Sequence, residues 1–164
     1  MHRRWPVNPR RFAYVHNSFT SGAAQNCFNS FYNDSNHLYL AVYEWGNDPI
    51  ATGTVEGWVL ARAKLGSTPV FGSPVVGGDG QPPGQMLVGQ VGLNPTLGFT
   101  QVGEGGQTGW VRNFPFAVLP PGWSLTAYSS AQNVQLAVTV WYEWIYPDDL
   151  YSQKIGDPER DYEA

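Results

Sequence analysis

The chain has 164 residues, of which 42% are hydrophobic, 15% aromatic and only 13% charged, and its formal net charge is −4. Few charges and many aromatic residues exclude a disordered chain, and a single cysteine excludes a scaffold held by internal disulfides. Nineteen glycines and thirteen prolines favour many short strands joined by tight turns. We therefore expect one all-β domain.

Residues 1–11 are predicted to form an extended basic arm. They contain four arginines and no acidic residue, and Pro6 and Pro9 disfavour a helix. The segment lacks the apolar region of a signal peptide, so we expect synthesis and assembly in a host cytoplasm. We expect the arm to contact a protein partner through five side chains: Arg3, Arg4, Trp5, Arg10 and Arg11.

The first half of the chain predicts four strands, over residues 12–20, 27–32, 37–45 and 52–64. Successive side chains of a strand point to opposite faces, so alternation identifies the buried face. In the third strand this rule places Leu38, Leu40 and Val42 on one face. It places the intervening side chains on the other: His37, Tyr39, Ala41, Tyr43 and Trp45.

Residues 66–84 predict a long surface loop. They include six glycines and four prolines, and at most one edge strand at residues 70–71. Long loops inside compact domains are usually functional or mobile. Three further short strands are expected at residues 86–91, 96–102 and 109–119, with a glycine-rich turn at residues 103–106.

The last two strands carry the clearest pattern. The sequence LPPG at residues 119–122 predicts a turn, because proline presets φ and glycine permits positive φ. Strands follow at residues 123–128 and from Val134. In the last strand one apolar face comprises Val134, Leu136, Val138, Val140, Tyr142 and Trp144. The period of two excludes a membrane-spanning helix, which needs about 20 continuous apolar residues.

Eight to ten short strands at this spacing predict an antiparallel two-sheet sandwich with the topology of a jelly roll. We place this domain at residues 12–146. Residues 147–164 form a predicted acidic tail with six acidic residues, one lysine and one arginine. The two ends of the chain therefore have opposite charge, as expected of solvated tails or of arms that dock on neighbouring subunits.

No set of residues predicts a catalytic or metal site. His2, His16 and His37 are scattered without the spacing of metal ligands. Cys27 lies in an alternating stretch, which favours a packed thiol over a nucleophile. The adjacent Asp148 and Asp149 leave a calcium or acid–base pair as the minor alternative. We expect a protein that is not an enzyme and binds no cofactor or metal.

The chain contains seven tryptophans, more than the core of one sandwich requires. Trp141 and Trp144 have opposite parity in the last strand, so at least one of them should point away from the core. Aromatic residues outside a core are typical of protein interfaces and of sugar-binding surfaces. We therefore add Trp141 and Trp144 to the predicted partner-binding residues.

Three segments resemble small β-sandwich virion proteins of tailed bacteriophages. These are LPPGWSLT at residues 119–126, VQLAVTVWYEW at residues 134–144 and NSFTSG at residues 17–22. The first two are similar to the turn, penultimate strand and last strand of those proteins, and the third to their opening strand. The resemblance implies a jelly-roll structural protein of the virion, often trimeric, of the head decoration (cement) type or from a tail or fibre.

The leading hypothesis is a decoration protein on the outer capsid surface, which would bind and bridge major capsid protein subunits as a homotrimer. An acidic body argues against nucleic acid as a partner, and no membrane partner is expected. The alternative is a phage tail, fibre or receptor-binding component with a carbohydrate-binding aromatic surface. A polysaccharide-degrading enzyme ranks last.

Overall fold

A computed structural model describes residues 9–20, 22, 27–47, 57–75, 80–89, 100–104, 110–111, 115, 117–129 and 132–148. A short 3-10 turn, Pro9–Arg11, precedes the strands. The strands are β1 (Phe12–Thr20), β2 (Cys27–Tyr32), β3 (Tyr39–Asn47), β4 (Gly57–Ala61), β5 (Ser67–Phe71), β6 (Ser73–Pro74), β7 (Gln85–Gly89), β8 (Thr100–Glu104), β9 (Trp110–Val111), β10 (Ala117–Leu119), β11 (Ser124–Ser129) and β12 (Gln135–Ile145).

The strands form two antiparallel sheets, so the predicted all-β fold is confirmed. The first sheet has the order β10–β3–β12–β1–β6, and β9 also pairs with β3. The second sheet has the order β5–β7–β2–β11–β4–β8. Of the predicted basic arm, only residues 9–11 lie in the described part, and they form the 3-10 turn rather than an extended segment.

The pairing follows the jelly-roll pattern. If β5, β6 and β7 are set aside and β9 and β10 are counted as one interrupted strand, eight strands remain. The first pairs with the eighth (β1 with β12) and the second with the seventh (β2 with β11). The third pairs with the sixth (β3 with β10) and the fourth with the fifth (β4 with β8). A long hairpin rolled over itself produces these pairs.

The connection between the fourth and fifth jelly-roll strands contains three extra strands. The sequence predicted two of them, an edge strand at residues 70–71 (β5) and a strand at residues 86–91 (β7), while the two-residue strand β6 was not predicted. β6 extends the first sheet beyond β1, while β7 and β5 extend the second sheet beyond β2. Pro69 and Pro74 lie in the edge strands β5 and β6, where a missing backbone donor is tolerated.

The main core lies between the two sheets, and the predicted apolar face of β12 points into it. Leu136, Val138, Val140 and Tyr142 are buried, and Val134 and Trp144 pack against them from the ends of the strand. β3 contributes Leu40 and Val42, as predicted. Leu38 precedes β3, is only half-buried and lies outside the described core cluster.

Val138 tests this assignment of faces. Val138→Ala should lower the free energy of unfolding by about 1–3 kcal/mol, because buried methyl groups are lost and a cavity remains. The neighbouring Thr139 points to the opposite face, so Thr139→Ala serves as the control and should have a smaller effect. Urea denaturation followed by circular dichroism measures both changes. An effect near zero for Val138→Ala would contradict the inward orientation.

A β-bulge corrects the predicted position of Trp45. The register of β3 against β12 shifts between Trp141 and Tyr142: Trp141 lies opposite Glu44, but Tyr142 lies opposite Val42. Tyr43 is therefore an extra residue, and the alternation of β3 is inverted beyond it. Trp45, predicted on the face opposite Leu40 and Val42, is fully buried in the same core as these residues.

Tyr142 is a buried polar residue of this core. Its ring centroid lies 4.7 Å from that of Phe31. Its hydroxyl has no hydrogen-bond partner in the described part of the chain, and a Cβ atom at Gly72 would collide with it. Burial, together with the charge of Asp34, raises the pKa of Tyr142 above its usual range. The hydroxyl is thus desolvated without a compensating bond.

Removing this hydroxyl should stabilise the protein. Tyr142→Phe is expected to raise the free energy of unfolding by about 1 kcal/mol, because an unpaired buried hydroxyl carries a desolvation penalty. Gly72→Ala should be destabilising by about 1–3 kcal/mol through overpacking, and this loss should shrink in the Tyr142→Phe background. A double-mutant cycle by urea denaturation measures the coupling. Additive effects would mean that the two residues do not touch.

Candidate interaction surface

The outer face of the first sheet carries a group of packed aromatic side chains. Ala13 and Val15 of β1 point into the core, so Phe12 and Tyr14 point outward. Trp141 lies opposite Tyr14 in the register, and their ring centroids are 5.1 Å apart. The ring of Phe12 stacks on Trp141 at 5.9 Å with an interplanar angle of 26°.

Tyr43 of β3, on the face opposite Leu40 and Val42, belongs to the same group. Its ring meets Phe12 edge to face, with centroids 6.0 Å apart. Its hydroxyl donates a hydrogen bond of 3.0 Å to Glu143 Oε2, and Glu143 is only 4% exposed. Burial first, and then the Glu143 carboxylate, raise the pKa of Tyr43 above its usual range. Tyr43 is itself buried, at 6% exposure, in a cluster with Ala41 and Ile145, and it supports the more exposed rings. We call Phe12, Tyr14 and Trp141, with the supporting Tyr43, the aromatic surface.

Two arginines lie at the edge of the aromatic surface where β1 begins. Arg10 is exposed, and the Arg11 guanidinium carbon lies 4.6 Å above the ring of Tyr146. Tyr146 follows β12 directly, and His37 packs near its ring with a centroid distance of 6.2 Å. A cation over an aromatic ring is electrostatically favourable. We call Arg10 and Arg11 the basic rim.

The other half of the same face is polar. His16 Nδ1 lies 2.8 Å from Thr139 Oγ1, and this hydrogen bond joins β1 to β12. Ser18 and Thr20 follow along β1 with exposed side chains. The outward positions therefore change from aromatic near Phe12 to hydrogen-bonding near Thr20. This face presents an apolar contact area beside polar side chains.

Three of the seven predicted partner-binding residues come together here. Arg10 and Arg11 form the basic rim, and Trp141 belongs to the aromatic surface. Trp144 lies on the opposite face of β12, half-buried against the main core. The remaining three, Arg3, Arg4 and Trp5, lie outside the described residues. The expectation that Trp141 or Trp144 points away from the core is met by Trp141.

Sequence reasoning missed Phe12, Tyr14 and Tyr43 as parts of this surface. The signal for the first two was available, because Phe12, Tyr14 and His16 share one parity in β1. The sequence does not show which of the two faces of β1 is buried, so these side chains could not be predicted to point outward. Tyr43 was predicted on the face opposite Leu40 and Val42, where the structure has it, but its neighbours Phe12 and Trp141 lie on strands whose pairing the sequence does not specify.

The part of the chain that the structure describes has neither a cluster of metal-ligating side chains nor a helix that could cross a membrane. There, no group of three or more His, Cys, Asp or Glu side chains is arranged to hold a metal ion. Among the same residues, no helix has the length and apolarity needed to cross a membrane. Cys27 begins β2, but its side chain lies outside the description, so the predicted burial of its thiol stays a prediction.

Comparisons with known proteins identify no relative of this chain. No family model, no curated protein and no solved structure matches the chain. The structure by itself shows an antiparallel fold of two sheets. The resemblance to phage virion proteins depends on the three short segments alone and enters only the proposal below.

Proposed function

We propose that this chain is a non-enzymatic structural protein of a virion, of the capsid decoration type. In this proposal it binds and bridges major capsid protein subunits on the outer surface of a tailed-phage head. It acts as a homotrimer, is assembled in the host cytoplasm and needs neither nucleic acid nor a membrane. The observation that supports the proposal is the aromatic surface with its basic rim, on the outer face of a jelly-roll sheet.

The composition of this surface suits a protein partner. Aromatic residues and arginine are the side chains enriched at protein interfaces, and they supply most of the binding energy there. Phe12, Tyr14 and Trp141 are held against one another, so little side-chain entropy is lost when a partner covers them. Arg10 and Arg11 add charge at the edge, where it increases association rate and specificity.

The predicted arm would extend this contact. Residues 1–8 carry Arg3, Arg4 and Trp5, and they precede the basic rim in sequence. We propose that residues 1–11 bind an acidic area of the capsid or of a neighbouring subunit. Each additional weak contact between subunits increases avidity without enlarging the folded domain.

Charge reversal at the basic rim tests the proposal. Full-length protein with Arg10→Glu and Arg11→Glu should bind undecorated capsids about 10-fold or more weakly, because the reversed charges repel an acidic partner. The matched control reverses Arg62 and Lys64, which are exposed and follow β4 in the second sheet. Sedimentation of capsids with labelled protein measures the affinity. Equal binding by both variants would contradict a role for the rim.

Copy number tests the decoration assignment itself. A protein that bridges capsid subunits should copurify with assembled heads in many copies, as trimers spread over the shell. Quantitative mass spectrometry of purified particles measures this number. A few copies per particle, or none on heads, would reject the decoration role.

The second candidate is a tail, fibre or receptor-binding component with a carbohydrate-binding surface. It is favoured by the position of Tyr14, which is 37% exposed and lies two residues from the exposed His16. Sugars stack on aromatic rings and hydrogen-bond to neighbouring polar groups, and this face offers both. Binding to a glycan array that is lost in Tyr14→Ala, together with a low copy number, would favour this candidate over the first.

A further inference from the structure

Gly46 lies within β3, although neither the backbone nor the packing there requires glycine. Its φ is outside the positive range that favours glycine. A Cβ atom at this position would have its nearest described neighbours at 3.8 Å, which are Glu44 Oε1 and the Thr139 backbone oxygen, so a side chain would fit. Glycine within a strand weakens it and often marks a place where a ligand approaches the backbone closely. The missing side chain therefore leaves an open position on the sheet.

This open position belongs to two adjacent rows of residues on the outer face of the first sheet. Trp45 points into the core, so its two neighbours in β3 point outward. The strand register then gives Glu44, Trp141 and Tyr14 in one row, and Gly46, Thr139 and His16 in the next. Three strands at about 4.8 Å spacing make the rows roughly 10 Å wide, the size of one or two sugar rings. We call these six residues the Gly46 site.

The Gly46 site combines a ring surface with hydrogen-bonding groups. Tyr14 is 37% exposed, and its ring is supported by Trp141 at a centroid distance of 5.1 Å. The Glu44 carboxylate leans toward the open position at Gly46, where it can accept hydrogen bonds. His16 is exposed and its Nδ1 lies 2.8 Å from Thr139 Oγ1, which leaves Nε2 for a ligand. Such a set suits a ligand with an apolar face and a rim of hydroxyl groups.

We propose that the Gly46 site binds a neutral hexopyranose chain, with one sugar ring against Tyr14 and hydroxyl groups at Gly46 bonded to Glu44 and His16. An acidic sugar is disfavoured because the Glu44 carboxylate would repel it. A quaternary ammonium ion is disfavoured because the Tyr14 and Trp141 rings pack on each other and leave no cage between them. This inference deepens the second candidate function and rests on it for the biological role, while the binding itself is a property of the isolated protein.

Filling the open position tests the proposal without virus particles. Full-length protein is titrated calorimetrically with neutral tetrasaccharides of glucose, mannose, galactose and N-acetylglucosamine. Gly46→Val should weaken binding of the tightest of these about 10-fold or more, because the new side chain occupies the space of the sugar. Its urea denaturation midpoint should be unchanged or higher, since a β-branched residue favours a strand. Phe71→Ser is the control: Phe71 is a 45% exposed aromatic residue of β5 in the second sheet, and its loss should leave the affinity unchanged.

A second variant, Glu44→Gln, keeps the shape of the side chain and should weaken binding about 5-fold or more, because hydrogen bonds to a carboxylate are stronger than those to an amide. Binding that survives both Gly46→Val and Glu44→Gln, or that Phe71→Ser weakens equally, would overturn the proposal. So would the absence of binding by all four sugars at about 10 mM, or tighter binding of their uronic acid forms. Because no particle is used, rejection of the decoration or tail role would leave these results unchanged.

Discussion

Trp45→Ala is expected to be among the most destabilising single substitutions in this protein, lowering the free energy of unfolding by about 3–5 kcal/mol. Trp45 is fully buried in the core between the sheets. Its removal takes a large apolar surface out of the core and leaves a cavity that the two sheets cannot fill by small shifts. The loss depends on the bulge at Tyr43, because strict alternation along β3 would place Trp45 outside.

Trp141→Ala is the matched control for this prediction. Trp141 lies on the outer face of the same sheet and is half-buried, so the same chemical change should be less destabilising, by about 1–2 kcal/mol. Urea denaturation followed by circular dichroism suits both variants, since each loses a fluorescent tryptophan. If Trp45→Ala lowered the free energy of unfolding no more than Trp141→Ala, the result would contradict the inward orientation of Trp45 that the bulge produces.

Asn33→Ala should destabilise the fold by about 1–3 kcal/mol, because the buried Leu119 carbonyl oxygen would lose a hydrogen-bond donor and the Leu38 carbonyl oxygen would keep the Ser35 hydroxyl. The Asn33 side-chain amide donates to the carbonyl oxygens of Leu38 at 2.8 Å and of Leu119 at 2.9 Å. Its side-chain oxygen accepts hydrogen bonds from the backbone N–H and the hydroxyl of Ser35. Asn33 is fully buried, so water cannot replace these bonds.

The backbone of Asn33 also secures the turn that precedes β11. Its N–H donates to the Trp123 carbonyl oxygen at 2.9 Å, and its carbonyl oxygen accepts from the Gly122 N–H at 3.0 Å. Gly122 has a φ of 78°, a conformation that favours glycine. The LPPG turn is therefore connected to the residue after β2, about ninety positions earlier in the chain. One buried amide and its backbone hold three segments together.

Asn36→Ala is the control for Asn33→Ala. Asn36 is exposed and lies three positions further along the same connection, so the same substitution should change stability by less than about 0.5 kcal/mol. Thermal and urea denaturation measure both variants. Similar losses at the two positions would indicate a general effect on the connection and would contradict the role assigned to the Asn33 hydrogen bonds.

The bounds of several strands and the buried face of the last strand were predicted from the sequence. β1 and β2 have the predicted bounds, and the apolar parity of β12 is the buried one. The turn at residues 119–122 was also predicted, and Gly122 has the expected positive φ. These features depend on side chains and backbone preferences within a few residues, because a sheet with one face in the core requires alternation along each strand.

The tertiary structure decided what depends on distant partners. The bulge that buries Trp45 is a matter of register between β3 and β12, and the strands β5 and β6 exist because β7 and β1 supply their hydrogen bonds. The parts of the candidate surface, from Arg11 to Tyr146, are neighbours only because the first and last jelly-roll strands pair. Local sequence contains no record of such pairings, since the contacts that fix them join residues between 14 positions (Phe71 and Gln85) and 131 positions (Phe12 and Glu143) apart.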